Sequence, residues 1–137
     1  MKSLKVVVLV IVLLAAVAVC AAPAPPLTSV AVIKVASAQV PAGEAITAYQ
    51  YSTVRDHGGA YLDVTTREMG YAINRRAAYN SAPMIQTAVT YIMSGTTVVG
   101  FTRTWRTYNP APSGRFAYQA TSQVYPVRTL SCSLSIR

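Results

Sequence analysis

Acidic residues are scarce in this 137-residue chain, and they stop early. Glu44, Asp56, Asp63 and Glu68 are the whole set, against twelve lysines and arginines, for a formal net charge of +8. After Glu68 the charge is all of one sign: Arg75, Arg76, Arg103, Arg106, Arg115, Arg128 and Arg137. A basic field of this kind favours anionic partners: phosphate-bearing envelope polymers, acidic polysaccharide, nucleic acid or lipid headgroups. Arginine in place of lysine suits planar, two-pronged recognition of such groups.

Histidine and cysteine are almost missing. One histidine (His57) and two cysteines (Cys20 and Cys132) offer no metal-ligand spacing, so no metal site or cofactor is expected. A serine-nucleophile triad finds no Gly-x-Ser-x-Gly and only one histidine to serve it. Glycine-rich phosphate loops and specific nucleic-acid motifs are absent as well. Two cysteines do not make a disulfide scaffold, so stability must come from core packing.

What is present begins with an apolar run, Val6 to Ala22, behind Met1-Lys2-Ser3-Leu4-Lys5. A positive lead, an apolar middle and a small-residue exit form the layout of a secretory signal peptide, residues 1–22, cleaved near Cys20 to Ala22. Membrane attachment would follow only if the run stays uncleaved or Cys20 is lipidated. Val19 stands where lipidation wants a small residue. Residues 23–27 (Pro-Ala-Pro-Pro-Leu) read as a linker. Residues 28–137 then make one domain, and a chain of about 110 residues can bury roughly two-thirds of its unfolded surface. The expected location is outside the cell or in its envelope.

The domain reads as strands. Thr28–Ala36 is rich in Val and Ile and apolar on both faces. Ala45–Val54 alternates and is expected to pair with Ala60–Thr66 across Arg55-Asp56-His57-Gly58-Gly59, which places His57 at an exposed hairpin tip. Met69–Asn74 suggests a strand with a turn or bulge at Gly70. Arg75–Pro83 lacks β signals and reads as a helical turn or loop. Met84–Met93 and Thr96–Tyr108 form a hairpin about Ser94-Gly95, with Ile85, Val89, Tyr91 and Met93 sharing a face. Arg115–Thr121 and Gln123–Leu130 follow, the latter weakened by Pro126. Ser131–Ile136 alternates cleanly, turning Cys132, Leu134 and Ile136 one way. About seven to nine short strands without a strong helix predict an all-β, antiparallel β-sandwich.

Thr102–Tyr108 is the best binding candidate. Arg103 and Trp105 fall on one face, Arg106 and Tyr108 on the other, and an aromatic beside guanidinium groups can stack a sugar and hold an anion. The expected function is binding of an anionic polymer or glycan, without enzymatic activity. The alternative is a self-assembling extracellular filament or surface subunit, with Val30, Val32, Ile33 and Val35 in a strand donated to a neighbour. A small secreted hydrolase built on His57 stands a distant third, because no second acid–base residue is evident.

Overall fold

The computed structural model describes residues 22–137. The expected signal segment up to residue 21, with Cys20, lies outside the described residues. The rest is all β. In chain order the strands are β1 (Ser29–Ser37), β2 (Glu44–Ala45), β3 (Tyr61–Met69), β4 (Ala72–Tyr79), β5 (Ala82–Pro83), β6 (Ile85–Ser94), β7 (Thr97–Tyr108), β8 (Gly114–Ser122) and β9 (Thr129–Ile136). They form two antiparallel sheets, β2-β1-β3-β7-β6 and β5-β4-β8-β9, facing each other as a sandwich.

Period-two alternation drives the inner faces together. Leu62 and Val64 from β3, Val32 and Val35 from β1, and Trp105 from β7 meet Tyr79, Phe116, Tyr118, Leu134 and Ile136 from the four-stranded sheet. Each fully buried apolar side chain of this kind contributes about 1.5–3 kcal/mol. Cys132 packs against the same core, half-buried, and burial pushes its thiol up to about 11. β3 is the spine of the larger sheet, paired along its whole length with β7 and, on its other edge, with β1.

Several elements depart from the sequence expectation. Ala45–Val54 is not a strand: only Glu44–Ala45 pairs, and residues 46–60 run as a long irregular connection with Tyr49, Tyr51 and Val54 exposed. Its backbone is held by distant groups, with Thr53 N–H donating to Ser135 O (2.9 Å) and Ser135 N–H to Tyr51 O (3.0 Å). Arg75–Pro83, expected as a helical turn or loop, instead completes β4, turns at Asn80-Ser81 and adds β5. Both turn residues have positive φ, the geometry a tight two-residue hairpin requires. Gln123–Leu130 is a loop up to Arg128, and its last residues open β9.

The Pro-rich segment is docked at its end. Leu27 is fully buried, its N–H donating to Ser122 Oγ (3.1 Å), and Tyr71 N–H donates to Pro25 O (2.9 Å). Gly70 makes this possible. Its φ is +99°, and a Cβ there would collide with the Pro26 carbonyl.

β6 is an edge strand with no charged residue, and Ile85, Val89, Tyr91 and Met93 along it are exposed. A bulge between Gln86 and Ala88 breaks the expected shared face. Ile85 stands opposite Arg106 on the outer side, while Val89 and Tyr91 stand opposite Arg103 and Phe101 on the inner side.

Candidate anion-binding face

The sheets divide the acids unequally. Glu44, Asp63 and Glu68 belong to β2 and β3 of the five-stranded sheet, and Asp56 to the connection between them. β4, β5, β8 and β9 contain no carboxylate side chain, but do contain Arg75, Arg76 and Arg115. Alternation turns Arg75 inward and Arg76 outward.

On the outer face of the four-stranded sheet, three cross-strand rows follow from the register. They are Arg76 beside Gln119 and Ser131, Ala78 beside Ala117 and Ser133, and Arg115 beside Ser135. Small side chains in the middle row leave a depression of about 470 Å³ between the two arginines. Arg115 donates through Nη2 to Ser133 Oγ at 2.8 Å, which steadies its guanidinium over the floor. Arg115 lies four residue steps along β8 from Gln119, the row of Arg76, which is ~13 Å along the strand. Two guanidiniums so spaced match charges repeated along an extended chain better than one compact anion. Gln119, Ser131 and Ser133 add neutral donors and acceptors suited to hydroxyl groups. The outer face of the five-stranded sheet also carries cations, Lys34 and Arg67, but Asp63 lies among them.

The four residues expected to form a binding stretch are divided by the sheet. Trp105 is buried: its indole N–H donates to Thr66 Oγ1 (3.0 Å) and its ring lies against Tyr118 (5.5 Å between centroids). It cannot stack a ligand from there. Arg103 lies on the same inner side, its Nε 3.3 Å from Glu68 Oε2. Arg106 and Tyr108 are on the outer side. There Arg106 grips Asp63 with two hydrogen bonds (2.7 and 2.6 Å) and covers the Tyr61 ring (4.5 Å). The Asp63 hydrogen bonds push its already high pKa further up, with Tyr108 adding to the effect, and the arginine's charge is already neutralised. Val30, Val32, Ile33 and Val35 lie in β1, which is paired with β3 on either side of a bulge at Ile33 and with β2 at Lys34 and Val35.

The sequence shows Arg76 and Arg115 as part of a basic half but not that they share a face: Arg76 lies in a stretch without β signals, and the pattern does not specify the partner of the strand that Arg115 opens. The acid-free second half was the available signal.

His57 is not at an exposed tip. It is buried, with Nε2 3.3 Å from Glu44 Oε2 and Nδ1 without a partner. Glu44 collects N–H groups from the irregular connection: Val54 (2.8 Å), Arg55 (3.0 Å) and Gln50 Nε2 (2.7 Å). Burial works to raise its pKa, but these donors outweigh it and hold the carboxyl down to about 2. The ring of His57 has no exposed side-chain surface from which to meet a substrate. Among the described residues, no three His, Cys, Asp or Glu side chains gather as a metal site would need.

Residues 22–136 match the family profile described as "Domain of unknown function (DUF4879)". The chain belongs to that family. Comparison with curated proteins and with solved structures gave no match.

Proposed function

We propose that this DUF4879 domain acts outside the cell or in its envelope as a binding protein for an anionic polymer or acidic glycan. The polymer lies along the outer face of the four-stranded sheet. The observation that carries this reading is the pair Arg76 and Arg115 flanking an alanine-floored, serine-lined depression without a carboxylate in its four strands. Guanidinium groups there meet oxyanions in a charge-assisted, two-pronged geometry, and a regular strand fixes their separation. No reacting group is required of the protein.

The test is a titration with heparin and polyphosphate, with dextran as the neutral control, across a salt series. The screening length falls from about 10 Å at 0.1 M to about 3 Å at 1 M, so affinity should fall steeply over that range. Replacing both Arg76 and Arg115 by Ala should lower affinity by at least about tenfold, since a hydrogen bond to a charged group contributes about 1.5–3 kcal/mol. Unchanged binding in that variant, or dextran bound as tightly as heparin, would sink the proposal.

The second reading is self-assembly. The uncharged β6 edge, with Ile85, Val89, Tyr91 and Met93 exposed, supports an association edge better than β1, which is already paired in its own sheet. Light scattering decides it: oligomers that disappear with Val89→Lys support the reading, and a monomer of constant mass rejects it.

A further inference from the structure

Glu68 is fully buried between the sheets, and everything it can accept is spoken for. Oε1 takes the Tyr118 hydroxyl from β8 and Nε–H of Arg75 from β4 (2.9 Å). Oε2 takes the same Arg75 Nε–H (3.1 Å) and Nε–H of Arg103 from β7 (3.3 Å). One carboxylate thus serves two guanidiniums. Neutralising Glu68 needs only one of them, and the second leaves an excess positive charge where neither arginine is free in water. The side chains of Arg75 and Arg103 are 23% and 11% exposed. A charge held partly away from water is costly unless an opposite charge completes it.

Both arginines use Nε on Glu68. Arg103 Nη1 donates to Gln86 Oε1 on β6 (3.0 Å), while both Nη groups of Arg75 and Nη2 of Arg103 have no protein partner among the described residues. The wall beside them is incompletely covered. Gln86, Val89 and Tyr91 stand opposite inward-facing residues of β7, yet all three are exposed, because the two-residue β5 is the last strand on that side of the facing sheet. The Arg103 guanidinium lies 5.0 Å from the Phe101 ring centroid, and Tyr91 meets that ring edge-on at 5.7 Å.

We propose that Arg75 and Arg103, backed by Glu68, form a second anion site that takes a single oxyanion group, a carboxylate or a phosphate, beside the Tyr91 and Phe101 rings at the β6 margin. Glu68 positions the two guanidiniums; the oxyanion accepts from their free Nη groups and balances the excess charge. The site is separate from Arg76 and Arg115, which lie on the outer face of the four-stranded sheet, whereas Arg75 faces inward from it.

The experiment is an NMR titration of the arginine side-chain Nε–Hε signals at low ionic strength. The probes are acetate, glucuronate and inorganic phosphate. Saturable shifts of the Arg75 and Arg103 signals are expected with at least one of them. Glucuronate binding more tightly than acetate would identify an acidic sugar as the source of the oxyanion, and phosphate binding alone would identify a phosphoryl group. Gln86→Glu, an exposed change that sets a carboxylate beside Arg103 Nη1, should weaken probe binding by tenfold or more, whereas Gln86→Ala should not. Arg76→Ala with Arg115→Ala should leave it unchanged, so the two sites fail separately. Shifts that never saturate, or undiminished binding in Gln86→Glu, would overturn the proposal.

Discussion

Arg75 and Arg76 are neighbours in the chain and occupy opposite sides of β4. Arg75 turns inward onto Glu68, 2.9 Å from Oε1, while Arg76 stands on the outer face beside Gln119. Removing the first should therefore damage the fold and removing the second should not. Arg75→Ala leaves Glu68 to Arg103 and Tyr118 alone, and a loss of about 1–3 kcal/mol in chemical denaturation is expected. Arg76→Ala should stay within about 0.5 kcal/mol of the parent. Equal effects would mean that the inward arginine contributes no more than a surface charge.

Glu44 sets the acid limit of residues 46–60. Its folded pKa, about 2, lies below the ordinary 4.5. The stability it supplies is thus complete above about pH 4.5 and is lost as pH falls towards 2. Limited proteolysis in that segment, measured from pH 6 to pH 2 with an acid-active protease, should accelerate below pH 4.5. Glu44→Gln should be cleaved readily at every pH and lose about 2 kcal/mol at neutrality, because the charge-assisted hydrogen bonds to Val54, Arg55 and Gln50 are weakened. A pH-independent rate in the parent would disprove the role given to Glu44.

Leu27 belongs to the core although it follows four residues dominated by proline. Truncation to Ala empties a fully buried position and should cost about 2–5 kcal/mol, read as a fall in the denaturation midpoint. A loss below about 0.5 kcal/mol would show that the docked arm is dispensable.

The sandwich was legible wherever alternation and burial agree. Ser131–Ile136 alternates and is β9 with Leu134 and Ile136 buried; Thr96–Tyr108 assigned Arg103 and Trp105 to one side and Arg106 and Tyr108 to the other, as the structure has them. Illegible parts depend on partners far away in sequence. Tyr49 and Tyr51 alternate like a strand, but the backbone around them is satisfied by Ser135 and Arg137 of the distant C-terminal segment. Arg76 to Ala78 has no β signal of its own and becomes strand because β8 pairs with it. Glu68 sits in a strand pattern like any polar residue. Only the convergence of Arg75, Arg103 and Tyr118, the last of them fifty residues on, makes its burial possible. The bulge in β6 likewise left no mark in the residue types.

The docked arm has a mechanical consequence. Leu27 N–H holds Ser122 of the four-stranded sheet, Thr28 N–H holds Met69 of the five-stranded sheet (2.7 Å), and the Arg128 guanidinium lies over the Leu27 carbonyl (3.4 Å). A pull on the chain ahead of Leu27 is shared between both sheets before it reaches β1. Tension then loads the sandwich across its thickness and does not peel its first strand away.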